Sequence, residues 1–211
     1  IFVEVAFTNG VPDALQPLLD HSLDRTDPFA ADTATFYSIS NCHYGLAGVQ
    51  LGDMLIKSVV DELKREFPNV ENLVTLSPIP DFRKWFEANA SHIRALAPTQ
   101  LPADPSDAED LRPELIRLAA EFIAGERRTS SDPKILTERA VDSVAHFHLS
   151  NGAQLDRINW WANPTQTGWA RSFGMMVNYR YEPDKIEERH DAYAATGKAP
   201  LSEGVKKALN P

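Results

Sequence analysis

Apolar residues recur along this chain in two periods, every second position and every third or fourth, and the two periods interleave from end to end. Residues 1–7 (IFVEVAF) are apolar on both sides, the pattern of a buried strand. Residues 12–20 predict a short helix, and the polar run 24–33 (DRTDPFAADT) a loop. The aromatic and β-branched content of 34–40 (ATFYSIS) predicts a strand, which passes through a glycine-rich stretch into 51–67 (LGDMLIKSVVDELKREF). There Leu51, Leu55, Val59 and Leu63 fall on one side, with Met54, Ile56 and Val60 widening the stripe, so an amphipathic helix is expected, ended by Pro68.

A short buried strand follows at 73–76 (LVTL). It is expected to stop at Ser77-Pro78-Ile79-Pro80, because proline has no N–H to give a ladder. Residues 81–96 predict a helix carrying Trp85 and Phe86. The proline-rich, acidic run 98–113 predicts an exposed connection, with helices after it at 114–126 and 133–145. The segment 146–153 (HFHLSNGA) leads into a strand at 155–161 (LDRINWW), a further strand is expected at 175–181 (MMVNYRY), and helices at 184–196 and 202–209 close the chain. Strands interleaved with helices predict an α/β fold.

Length and charge narrow the function classes. A chain of 211 residues can bury roughly 70% of its unfolded surface, so a single domain is expected. No apolar run approaches the length that crosses a bilayer, which argues against a membrane partner. A net charge of −9 and a pI near 5.1 disfavour a nucleic-acid surface, which needs clustered Lys and Arg, but leave room for a local basic pocket. The lone cysteine, Cys42, can close no intrachain disulfide, so a reducing compartment such as the cytoplasm is expected. A strand that begins at once with Ile1 predicts that further sequence precedes it in the gene product.

The strongest local signal for chemistry is the strand, glycine turn and helix of residues 38–57 (SISNCHYGLAGVQLGDMLIK). Glycines at 45, 48 and 52 let the backbone approach a ligand, and the free N–H groups and dipole of a helix start favour a phosphate. The stretch is neither a P-loop nor a Gly-x-Gly-x-x-Gly fingerprint. It resembles the pyrophosphate-binding turn of the acetyltransferase-type (GNAT) fold, Arg/Gln-x-x-Gly-x-Gly/Ala: laid on residues 47–52, Gly52 matches while Ala47 and Gln50 depart. Glycines serving only close helix–sheet packing would read the same way. Cys42 beside His43 invites a nucleophilic pair, but neighbours on an extended segment point to opposite faces.

Four separated blocks resemble the malonyl-CoA decarboxylase family in order and spacing. They are residues 1–6 (IFVEVA); 36–67; 76–82 (LSPIPDF) with Trp85; and 146–160 (HFHLSNGAQLDRINW) followed by Asn178-Tyr179-Arg180-Tyr181. The resemblance implies a catalytic domain of GNAT fold, a mixed central sheet flanked by helices. The family pairs that domain with an N-terminal helical domain important for oligomer contacts, which lies outside these residues, so a homo-oligomer is expected of the full-length protein. It further implies malonyl-CoA as substrate, acetyl-CoA and carbon dioxide as products, and neither metal nor organic cofactor.

Carried over by position, the family's serine falls on Ser77 and its histidine on His148, and the CoA-binding turn falls on Ala47, Gly48, Val49, Gln50, Leu51, Gly52 and Asp53. Ser38, Gln50 and Tyr181 correspond to further active-site positions, although some members carry glutamate where this chain has Gln50. Taken singly, Ser77 before proline is ordinary turn chemistry, His148 an ordinary core histidine and Tyr181 an ordinary strand aromatic. Spacing alone leaves His146 and His148 open as a His-x-His metal pair on one face of a strand; the resemblance selects His148. It implies that Ser77 contacts the malonyl group and relays a proton, with His148 as donor, a role suited to a histidine pKa near the working pH. An acyltransferase of the same fold and a non-catalytic CoA-binding module are the competing readings.

Overall fold

The computed structural model describes residues 2–40, 51–128 and 138–210. The chain is a mixed α/β fold built on one mixed sheet with helices packed against it. Strand β1 (Phe2–Thr8) lies antiparallel to β2 (Thr33–Ser40), which lies parallel to β3 (Asn72–Thr75). The crossover between β2 and β3 carries α2 (Leu51–Glu66), the predicted amphipathic helix, and a short α1 (Gln16–Leu19) precedes β2. The first strand departs from expectation. It is an edge strand with Phe2 64% exposed, and only β2 pairs with it among the described residues.

The prolines after β3 do not end the pairing. Ser77–Pro78 forms β4, and both β3 and β4 pair antiparallel with one edge of β8 (Met176–Tyr181), whose other edge takes β7 (Gln154–Asn159). Proline is tolerated because β4 is a two-residue rung whose other side has no strand among the described residues. Leu73↔Tyr181 and Ser77↔Val177 keep one register, so the strand is interrupted only at Thr75 and Leu76. Side chains bridge that gap: Tyr179 N donates to Thr75 Oγ1 at 3.1 Å, and Asn178 Nδ2 donates to the Thr75 carbonyl at 2.7 Å.

At the same level the sheet forks. Pairing of β2 with β3 ends at Phe36↔Thr75, where Leu76 N donates to the Phe36 carbonyl at 3.0 Å. Beyond it β2 continues to Ser40 against β1 alone among the described residues, and the other arm continues against β8. Tyr37 is an extra residue in β2, since Val5 pairs with Phe36 and Glu4 with Ser38; such a bulge bends a strand, here at the point of parting.

The helices follow the expected order with four differences. The predicted helix at 81–96 is two, α3 (Phe82–Asn89) and α4 (Ser91–Arg94), divided at Ala90, whose ψ of 50° leaves the helical range. The predicted connection at 98–113 contains a 3-10 helix (Pro105–Leu111) that buries Ala108, and α5 (Arg112–Gly125) follows directly. Of the helix expected at 133–145, residues 133–137 lie outside the described residues, and the described remainder differs from expectation. Arg127–Arg128 (β5) and Arg139–Ala140 (β6) pair as a two-stranded ribbon, and α6 spans Ser143–Ser150, starting where Asp142 accepts from Ala145 N at 2.8 Å. Helix α7 (Gln166–Ser172) has no periodic apolar pattern to announce it and begins at a Thr165 cap. Helices α8 (Ile186–Thr196) and α9 (Glu203–Leu209) agree with the sequence, α8 being led in by a 3-10 turn at Pro183–Lys185.

The main core joins Leu73, Val177, Tyr179, Tyr181, Leu155 and Ile158 of the sheet to Phe82 and Phe86 of α3, Leu115 to Ile123 of α5, and Ala145 and Leu149 of α6. Residues of the opposite parity, Leu76 and Met176, form a smaller cluster with Ala162 that Leu15 and Leu18 cover. The side chains of Ser77 and its neighbours on the first face are therefore enclosed.

Candidate active site

Register brings the polar side chains together. Thr75 and Ser77 are two apart on one extended segment, Tyr179 and Tyr181 two apart on β8, and opposed residues of an antiparallel pair share a face. All four look toward α6. The last turn of that helix carries His148, which is 3% exposed. Its Nε2 lies 2.9 Å from Ser77 Oγ and its Nδ1 lies 2.9 Å from Tyr181 Oη. Ser77 Oγ in turn lies 2.9 Å from Thr75 Oγ1. The Tyr179 ring stacks on the imidazole, centroids 4.6 Å apart at 24°, fixing its plane.

The motif His148-Leu149-Ser150-Asn151-Gly152-Ala153 is a helix ending in which each position has a task. Ala153 N donates to the His148 carbonyl at 3.1 Å and Gly152 N to the Leu149 carbonyl at 3.1 Å, the paired bonds of a Schellman cap. Gly152 takes φ +77°, and a Cβ there would stand 2.2 Å from the Ile186 carbonyl oxygen, so only glycine fits. The cap thereby anchors the backbone of His148 itself.

Burial governs the electrostatics. A helix C-terminus favours a cation, yet complete desolvation drives the His148 pKa down to about 3, so the ring is neutral at physiological pH. The expectation of a histidine titrating near the working pH is therefore corrected. Desolvation likewise raises Asp142, at the other end of α6, to about 6, against the pull of the backbone N–H groups it accepts.

A neutral imidazole has one N–H and one acceptor, so the chain can run in only two directions. In one, Tyr181 O–H donates to Nδ1, Nε2–H donates to Ser77 Oγ, and Ser77 O–H donates to Thr75. In the other, Ser77 donates to Nε2 and Nδ1–H to Tyr181. Either way, Tyr181, His148, Ser77 and Thr75 form one continuous hydrogen-bonded chain.

His146 stands apart from this chain. The expectation that it shares a strand face with His148 fails because both lie on α6, where two residues turn about 200°. His146 Nδ1 contacts Tyr193 Oη at 3.1 Å instead. Ser38 lies on the β2 arm of the fork, beyond the last pair with β3, and pairs with Glu4. Leu51, Gly52 and Asp53 open α2. Ala47, Gly48, Val49 and Gln50, with Cys42 and His43, lie outside the described residues.

Sequence reasoning passed over Thr75, Tyr179 and Asn178 as support for the site. Asn178 uses all four of its hydrogen-bonding positions: Oδ1 accepts from Arg157 Nε at 3.1 Å and Asn159 Nδ2 at 2.8 Å, and Nδ2 donates to the carbonyls of Thr75 and Pro12. A threonine inside the apolar run LVTL, two positions before Ser77, was the available signal.

Comparison with known proteins identifies the family. The family model "Malonyl-CoA decarboxylase C-terminal domain" matches residues 1–211. Mitochondrial malonyl-CoA decarboxylases of Anser anser anser and Rattus norvegicus are 34% and 31% identical, each aligned to 97% of this chain. The chain spans 46% and 47% of those two proteins, about half the length of the curated relatives it matches. Crystal structures of malonyl-CoA decarboxylase from Rhodopseudomonas palustris (39% identity, TM-score 0.84, 98% of this chain and 49% of that one) and Agrobacterium vitis (36%, 0.85, 99% and 53%) share the fold. A match along its whole length, carried by relatives above 30% identity, makes this chain a member of the malonyl-CoA decarboxylase family, corresponding to its C-terminal domain.

Proposed function

We propose that this chain carries the decarboxylation of malonyl-CoA to acetyl-CoA and carbon dioxide, without metal or organic cofactor. The observation that carries the reading is the buried chain Tyr181–His148–Ser77, with Ser77 at the fork of the sheet. Loss of carbon dioxide leaves the bonding pair of the broken C–C bond on the α-carbon. The thioester carbonyl accepts it as an enolate, so the substrate is its own electron sink. What remains for the protein is to hold the carboxylate out of the thioester plane, stabilise the oxyanion and protonate the α-carbon.

Ser77 O–H delivers that proton, His148 Nε2–H replaces it, and Tyr181 O–H refills Nδ1; once product has left, a solvent proton taken up at Ser77 passes back along the same chain, Ser77 O–H to Nε2 and Nδ1–H to the tyrosinate, and restores the starting state. The ring stays neutral throughout, consistent with its depressed pKa. Ser38, across the fork, and Gln50 are assigned to the thioester end of the substrate. Ala47, Gly48, Val49, Gln50, Leu51, Gly52 and Asp53 are assigned to the CoA pyrophosphate, the last three of them opening α2. The lone cysteine fits a reducing compartment such as the cytoplasm, although the curated relatives are named mitochondrial. A homo-oligomer is proposed for the full-length protein.

Incubation with malonyl-CoA, following acetyl-CoA and carbon dioxide, tests the reading. Equal amounts of both products with no amine acceptor present are expected. Release of acyl groups only when an amine is supplied would favour an acyltransferase, and binding without turnover a CoA-binding module.

A further inference from the structure

The hydroxyl of Thr75 does more than fill a core position. We infer that Thr75 is a positioning residue that sets the direction of the proton chain, by taking the hydrogen of Ser77 and so leaving a serine lone pair for His148 Nε2–H. The inference rests on the reading of Ser77, His148 and Tyr181 given above.

Thr75 is fully buried, and its Oγ1 has three neighbours: Tyr179 N–H donates to it at 3.1 Å, Ser77 Oγ lies at 2.9 Å, and its own hydrogen points to the Val177 carbonyl at 3.5 Å. With one lone pair used by Tyr179 and the hydrogen directed to Val177, the second lone pair is left for the Ser77 hydrogen. Ser77 then accepts at Oγ, so His148 must present Nε2–H and accept at Nδ1 from Tyr181. In that direction, once the Ser77 hydrogen turns from Thr75 onto the α-carbon of the enolate, His148 Nε2–H replaces it from behind. Without Oγ1 the serine hydrogen is free to turn onto Nε2, which reverses the chain and points the outlet backwards.

Thr75 is itself held from the main-chain side. Asn178 Nδ2 donates to its carbonyl at 2.7 Å, and Arg157 Nε donates to the same carboxamide, a charge-assisted contact that polarises it. These bonds stand where the ladder between β3, β4 and β8 is interrupted. The interruption therefore frees the Thr75 side chain to serve Ser77.

The test compares Thr75→Val, which keeps the shape, with Thr75→Ser, which keeps the hydroxyl, by steady-state kinetics and by ¹⁵N NMR of the His148 ring. The wild-type ring should be the Nε2–H tautomer. Thr75→Val should shift it toward Nδ1–H and lower kcat by about 10- to 100-fold with KM nearly unchanged, and Thr75→Ser should restore most of both. Unchanged kcat and tautomer in a folded Thr75→Val protein would overturn the inference. If that variant does not fold, an Nδ1–H tautomer in the wild-type protein overturns it equally. Ser77→Ala is measured beside them: loss of turnover there with a normal Thr75→Val sinks only the role of Thr75, whereas normal turnover of Ser77→Ala sinks the reading on which it rests.

Discussion

His148 Nε2 and Ser77 Oγ lie 2.9 Å apart although 71 positions of sequence separate them, and the imidazole that makes this contact is closed off from water. A ring in that setting moves protons by donating at one nitrogen while accepting at the other, without passing through a cation. Because desolvation lowers its pKa to about 3, the ring should show no titration between about pH 5 and 8 when followed by NMR. A His148 midpoint near the unperturbed value of about 6.5 would contradict the relay described here.

The two histidines of α6 should separate cleanly. His148→Asn is expected to lower turnover by about 10²-fold or more, the scale of a positioned proton-transfer group. His146→Asn, whose ring contacts Tyr193 rather than Ser77, is expected to change turnover little. Exhaustive chelation should leave the rate unaltered. A dead His146 variant, or loss of activity on chelation with recovery on adding zinc, would reverse the assignment.

At the opposite end of α6, Asp142 is a buried carboxylate whose pKa burial raises to about 6. Between the unfolded value, about 3.9, and 6 the folded protein holds the extra proton, so stability falls as pH rises through that window. Asp142→Asn keeps a capping acceptor without the charge. Thermal melting should show the variant more stable than wild type at pH 7.5, with the difference shrinking as pH falls toward 4. Referring each point to wild type removes the opposing contribution of His148, which is present above about pH 6.5 and lost as pH falls toward 3. A variant less stable at pH 7.5 would show that the charge is favourable where it stands.

Much of this architecture is legible in the sequence where period and burial agree. The strand at 34–40, the helix from Leu51, the strand at 175–181 and the two closing helices appear within a residue or two. Failures occur where tertiary partners override local signals. HFHLSN reads as an extended lead-in, yet it is helical because Asp142 caps its start and Gly152 its end. Ser77-Pro78 reads as a stop, yet it pairs because β8 offers the same register on both sides of Thr75. Ser77, His148 and Tyr181 are named by resemblance to a family; their convergence, and the neutrality of the imidazole, depend on long-range packing that no local pattern encodes.

Gly152 links fold and site, so its replacement reports on both. Gly152→Ala forces a Cβ into a left-handed position against the Ile186 carbonyl and should cost about 2 kcal/mol or more of stability. Because the cap anchors the His148 carbonyl, turnover should fall further than the lost folded fraction explains. Stability near wild type would mean that the end of α6 is less constrained than the packing against Ile186 implies.

The central claim is that Ser77 hands the proton to the enolate formed from malonyl-CoA. The most direct measurement is parallel determination of CoA-thioester affinity and decarboxylation rate for wild type and Ser77→Ala. The account predicts affinity within a few fold and turnover lower by about 10²-fold or more. Near-normal turnover in the alanine variant would contradict it.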